Sequence, residues 1–372
     1  MTREDLQVWE SELGSLLARL FRLFYRTESK RHAEQYFRGL LSPLARKNGW
    51  TIAEHVGEQE PTALQRLLNL SPWDADQVLA LNREYAMEHL ACPEAVLVAD
   101  PTGFAKKGAK SVGVQRQYSG TLGRVDNCQI GTFLGYVTPG RDRVLIDRRL
   151  YMPAGSWLAD PDRCAQAGVP ADLVFKTRPQ QVIDMITSVR QAGAPFTWFT
   201  ADEEFGGNPG LCHYLADARI PYVMAVPKNT GFTDPTGRRV QLDTLAPRLR
   251  RNAWSRRACG IGTKGYRVYD WALIDSAGPD HQYMIRRPID DSDELAFYHC
   301  FNPSHTGFGE LVNVAGARWP IEELFESGKN EVGLDNYQVR TWNAWHRHIT
   351  LAMLAQTFLA ITAHKTKKGG AK

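Results

Sequence analysis

Two short apolar runs, each closed by an aspartate, restrict the possible folds of this chain more than any other feature. Ala95-Val96-Leu97-Val98-Ala99 ends at Asp100, and Phe196-Thr197-Trp198-Phe199-Thr200-Ala201 ends at Asp202. Apolar runs this short suit buried strands. Between them lie strand-like segments at 112–118, 129–137 and 143–150, then helical stretches at 160–167 and 179–192; a short helix at 209–218 and a strand at 222–226 follow. A strand meander followed by helix, strand, helix, strand predicts an α/β fold with one mixed sheet. First and fourth strands are often neighbours in this topology, which sets Asp100 beside Asp202 at strand ends, where open α/β sheets do their chemistry. A lone strand-end aspartate is more often a turn or cap residue, so the reading needs a third acid.

That acid comes from RWPIEELFESGKNEVGLDN, residues 318–336. Pro320 suits a first helical turn, and carboxylates follow it. At 100° per residue Arg318, Glu322 and Lys329 fall within about 40° of one another, and Glu323 points away. A carboxylate flanked by cations suits a hard metal ion with phosphate oxygens beside it. On this stretch alone a solvated charged face is the commoner arrangement; Asp100 and Asp202 tip the balance.

The rest of the chain divides around this core. Residues 1–90 read as an all-helical N-terminal domain, with helix-period positions such as Leu13, Leu16, Leu17, Leu20 and Phe24; a helix-turn-helix and a plain packing or dimerisation domain both remain open. Residues 91–228 form the first part of the core. Residues 229–312 read as a mostly β insertion, with strands at 266–274, 282–287 and 295–301. Residues 313–364 return to the core with the helix of Glu322 and an apolar helix, and 365–372 form a basic tail expected to be disordered.

Net charge is only +4, so the placing of charge matters more than its sum. Arg248, Arg250, Arg251, Arg256, Arg257, Lys264 and Arg267 follow one another without an intervening acid, and Trp254 lies among them. Such a run suits a phosphate backbone, the indole an unstacked base or a hydrophobic contact. Lys106, Lys107 and Arg116 follow Asp100 in a glycine-punctuated stretch. Six scattered cysteines without a C-x-x-C pair fit free thiols in a reducing cytoplasm. The start of the chain has no signal-sequence pattern, and the longest apolar run, 349–363, is too short to span a membrane.

With these residues in hand, the sequence resembles the DDE-type transposases of bacterial insertion sequences, which have a ribonuclease-H-like core. The matching stretches are VLVADPTG with Asp100, FTADEEFGG with Asp202, and RWPIEELFESGKNEVGLDNYQVRTW with Glu322. Arg318, Glu322 and Lys329 have the spacing of the tyrosine-arginine-glutamate-lysine signature of one branch. DPTGFAKKG, SVGVQRQYSG and QVRTWNAWHRHITLAMLA are similar to insertion-sequence family seven hundred and one. Ala315 stands at the tyrosine position, and Pro101 where relatives tend to have a further acid.

The resemblance implies a DNA transposase whose Asp100, Asp202 and Glu322 are catalytic and bind Mg²⁺, with Mn²⁺ as a substitute. Its partners would be double-stranded DNA, both transposon ends and target, and a second copy of the chain; its place would be the bacterial cytoplasm, at the nucleoid. Arg318 and Lys329 would orient phosphates. Lys106, Lys107 and Arg116 would contact backbone near the cut, and Arg248, Arg250, Arg251, Trp254, Arg256, Arg257 and Lys264 would hold the transposon end. A domesticated DNA-binding relative without cleavage, a metal-dependent endonuclease without strand transfer, and an inert α/β domain carrying a helical interaction module are the alternatives.

Overall fold

The computed structural model describes residues 3–262, 265–290 and 294–369. Five helices come first: α1 (Arg3–Phe21), α2 (Thr27–Leu41), α3 (Gly49–His55), α4 (Thr62–Asn69) and α5 (Ala75–Leu90). Four strands follow, β1 (Val96–Ala105), β2 (Gln115–Ser119), β3 (Arg124–Val137) and β4 (Arg143–Leu150), then α6 (Pro161–Gln166) and α7 (Arg178–Gln191). Next are β5 (Trp198–Ala201), α8 (Glu203–Gly206), α9 (Pro209–Asp217) and β6 (Tyr222–Val226). The insertion holds β7 (Gly231–Thr233), β8 (Arg239–Gln241), α10 (Leu242–Leu245), β9 (Trp254–Gly262), β10 (Gly265–Asp275), β11 (His281–Arg287), β12 (Ala296–Phe301) and α11 (Phe308–Gly316). The chain closes with α12 (Pro320–Val332) and α13 (Trp342–Gly369).

The expected mixed sheet is present. β4, β3 and β1 pair antiparallel in that order, and β5 then β6 continue on the other side of β1 as parallel neighbours. This is the ribonuclease-H-like arrangement, with the first and fourth core strands adjacent. The insertion does not stand apart from it. β12 pairs antiparallel with β6, and β11, β10 and β9 extend the same surface to ten strands. Among the described residues, β7 and β8 form a separate hairpin, turned by Asp234 to Gly237.

Helix ends follow local chemistry. Asp74 caps α5, accepting the Asp76 N–H at 2.8 Å. Pro320 occupies the first turn of α12, and Gly333 ends it with a left-handed φ of 66°. The buried positions of α12, Ile321, Leu324, Phe325, Gly328 and Val332, recur at helical spacing. They lie close on the sheet because Gly135 of β3 has no side chain: a Cβ there would stand 2.8 Å from Ile321 Cδ1.

Helix α13 joins the two ends of the chain. Its Ile349, Leu351, Leu354 and Phe358 share one continuous core with Leu16 and Leu20 of α1, Tyr36 of α2 and the sheet. Arg347 donates to the carbonyls of Leu68 and Trp73, and Tyr36 is 2.8 Å from His348. The tail expectation needs correction at its start: residues 365–369 continue α13, because Lys365 is fixed 2.6 Å from Glu12. Residues 370–372 lie outside the described residues.

Under β4 the fully buried Asp147 accepts bonds from Arg83 of α5 and from Arg149. Asp147→Ala leaves two guanidiniums without their shared anion, and we expect a loss of about 3 kcal/mol in urea unfolding. An unchanged midpoint would show that those cations reach water unaided.

Candidate active site

The register of β1 and β5 brings the two aspartates together. Their last pair is Ala99 with Ala201, so Asp100 and Asp202 are the next residue on each side, one step past that pair. Asp100 does not end its strand, as the apolar run suggested. β1 continues to Ala105 along β3, and only its pairing with β5 stops. Beyond Ala99 the β5 side of β1 is unpartnered, a setting that tolerates Pro101. Asp202 leaves β5 and caps α8, accepting the Glu204 N–H at 3.0 Å.

Helix α12 lies over this point. Arg318 donates to Glu322 at 2.9 Å. Two turns on, Lys329 donates to Thr102 Oγ1 at 2.8 Å, and Thr102 shares its strand face with Asp100. Cation, carboxylate and cation therefore run along β1, as the helical spacing requires. Glu323 points away, pairing with Arg143 at 2.7 Å.

The electrostatics are those of crowded acids. Burial pushes the Asp100 carboxyl up to about 8, and neighbouring Asp202 and Glu322 add to this while Arg318 opposes it. Burial raises Asp202 too, against hydrogen bonds from backbone N–H groups and the pull of Arg318. For Arg318, burial disfavours the charge, yet Glu322 and Asp100 outweigh it and hold the guanidinium above its ordinary value. Burial lowers Lys329, with Asp335 and Asp100 opposing. The donors are all carboxylate oxygens, the set a hard divalent cation takes, and such a cation would favour the ionised form that burial of Asp100 disfavours. Among the described residues no three acidic, histidine or cysteine side chains are grouped so that they could hold a metal ion. Glu322 is engaged with Arg318 and would have to turn from it.

Two neighbours were not foreseen. Glu204 adds a fourth carboxylate, held 2.6 Å from Arg178 at the start of α7. Its position in Asp-Glu-Glu hinted at a role, but nothing in the sequence tied it to Arg178.

The expected DNA contacts divide. Lys106 and Lys107 line a cleft of about 1320 Å³ with Arg46, Lys110, Asp335 and Arg340, between the N-terminal helices and the segment after α12. Lys106 sits 3.5 Å over the Tyr337 ring, and burial pushes its ammonium down to about 8. Arg116 is exposed on β2. The arginine run is not one patch. Arg248, Arg250 and Arg251 are exposed before β9, whereas strand alternation sends Arg256 and Arg257 to opposite faces. Arg256 has a partner after all, Asp270 across the sheet at 3.0 Å. Trp254 is half-buried, with the Arg287 guanidinium 4.2 Å above its ring. Lys264 lies outside the described residues. Ala315 is buried on α11.

Residues 19–259, well over half of the chain, match the model of the DDE superfamily endonucleases, and residues 176–358 match a transposase DDE domain. The chain belongs to the DDE superfamily endonucleases. It is 28% identical over 197 residues to the probable transposase for insertion sequence element IS701 of Microchaete diplosiphon, covering 51% of this chain and 47% of that protein. It thus spans about half the length of this curated relative. Two solved structures are more distant. The piggyBac transposase synaptic complex with hairpin DNA aligns at a TM-score of 0.46 and 10% identity, over 93% of this chain and 68% of that one. Endonuclease V of Ciona intestinalis in complex with DNA aligns at 0.26 and 11%, over 68% and 97%. Among the described residues no helix is long and apolar enough to cross a membrane.

Proposed function

We propose that this chain is a DNA transposase that cuts the ends of an insertion element and joins them to target DNA, acting as a homodimer at the bacterial nucleoid. The observation that carries the reading is the register of β1 and β5, which sets Asp100 beside Asp202 beneath the Arg318–Glu322 pair. Two Mg²⁺ ions, or Mn²⁺, held by Asp100, Asp202 and Glu322 would supply Lewis-acid stabilisation of charge on the reacting phosphate. Asp202 is kept in place by the Glu204 N–H, and Asp100 lies half-buried on the neighbouring strand. Arg318 and Lys329, on one helix edge, orient the phosphates on either side of the cut, and Thr102 fixes the lysine. Lys106 and Lys107 guide the backbone through the adjoining cleft.

A strand-transfer assay with a precut 3′-hydroxyl end, target plasmid and Mg²⁺ tests this. Joined product is the expected result. Cleavage of an uncut end without joining would reduce the protein to an endonuclease; neither product would reject the enzyme reading.

A further inference from the structure

We propose that Arg257 and Arg286 form a second phosphate pocket, on the active-site side of the insertion, that grips the DNA backbone away from the cut. The inference rests on the DNA reading above and adds a site to it.

The register builds the pocket. Arg257 of β9 lies opposite Tyr269 of β10, and Trp271 of β10 lies opposite Arg286 of β11. Directly paired and alternate residues share a sheet face, so all four project from the same side. The Arg286 guanidinium lies 4.4 Å over the ring of Tyr269, the cross-strand partner of Arg257. The Arg257 guanidinium packs on a second ring, 4.7 Å from that of Phe308 of α11.

The two faces of this sheet differ in charge. On the far face Arg256 and Arg287 both bind Asp270, at 3.0 and 3.3 Å. On the near face, among the described residues, neither Arg257 nor Arg286 has a carboxylate in ion-pair range, and Arg257 Nε, Arg286 Nε and Trp271 Nε1 are buried donors without an acceptor. Buried unsatisfied donors are costly, and like charges so placed repel. An anion that accepts from several N–H groups relieves both penalties, and guanidiniums match the oxygens of a phosphodiester.

The pocket also lies toward the acids. The phenol of buried Tyr298, whose ring is 5.6 Å from that of Trp271, feels both Arg286 and Arg318.

The test is fluorescence anisotropy with the full chain and labelled duplex DNA, in EDTA, from about 50 to 200 mM KCl. Each phosphate contact contributes about 0.9 to the slope of log affinity against log salt. Arg257→Ala with Arg286→Ala should weaken binding and flatten the slope by about 1.8, whereas Arg287→Ala on the far face should leave it unchanged. Glutamine at 257 and 286 keeps the stacked stems and carries the same expectation should the alanine pair misfold. Wild-type binding with an unaltered slope in the near-face pair, or equal flattening by Arg287→Ala, overturns the pocket alone. A wild-type chain that does not bind DNA overturns the functional reading as well.

Discussion

Asp202→Asn and Glu322→Gln should each lower Mg²⁺-dependent cleavage of an element end by about a thousandfold, with duplex binding in EDTA nearly unchanged. The size follows from the several kcal/mol that a bound metal contributes to charge stabilisation, at about 1.4 kcal/mol per tenfold in rate. The separation of cutting from binding follows from geometry. Asp202 accepts from backbone N–H groups at the start of α8, that of Glu204 at 3.0 Å among them, and an asparagine side-chain oxygen preserves an acceptor there. Among the described residues Glu322 pairs with Arg318, and glutamine retains an acceptor for it. Single-turnover cleavage with the variants, beside anisotropy binding, reads both quantities. Full cleavage by either variant would remove that residue from the site.

Asp100→Asn should stabilise the metal-free protein above pH 7, an effect opposite to that of most substitutions. The sign is set by burial. The carboxyl titrates at about 8 in the folded chain against an ordinary value of 3.8. Below about pH 4 both states are protonated and Asp100 costs nothing. Between about 4 and 8 the unfolded chain releases the proton while the folded chain keeps it, so stability falls as pH rises, by a few kcal/mol in all. Asparagine abolishes that fall. Urea unfolding of wild type and variant in EDTA at pH 5 and pH 8 should show curves that diverge with pH, the variant gaining. Parallel pH dependences would mean that Asp100 is hydrated and ionised. Saturating Mg²⁺ should narrow the gap, because a cation bound to the ionised carboxylate restores stability to the wild type.

Much of this site was legible in the sequence because its parts follow local rules. Apolar runs closed by acids marked β1 and β5, and helical spacing put Arg318, Glu322 and Lys329 on one edge with Glu323 elsewhere. Where Asp100 sits within its strand was not legible. The run stops at Ala99, but β1 goes on through Pro101 and Gly103 because β3 pairs with it to Ala105, a long-range bond that composition does not register. The arginine run misled for a related reason. Read linearly it lacks acids; folded as β9, its period of two divides the cations between faces, and Asp270 arrives from the next strand. Nor could the sequence reveal that α13 would bind residues near the start and the end of the chain into one core, since the carbonyls that Arg347 caps lie far from it in sequence.

The central claim, that three distant acids share divalent cations at one point of the sheet, is tested most directly by a structure of the full chain with DNA and Mn²⁺. The account predicts anomalous density between the carboxylates of Asp100 and Asp202, with Glu322 turned from Arg318 toward the same ions. Manganese bound elsewhere, with Glu322 still paired to Arg318 and DNA in place, would contradict it.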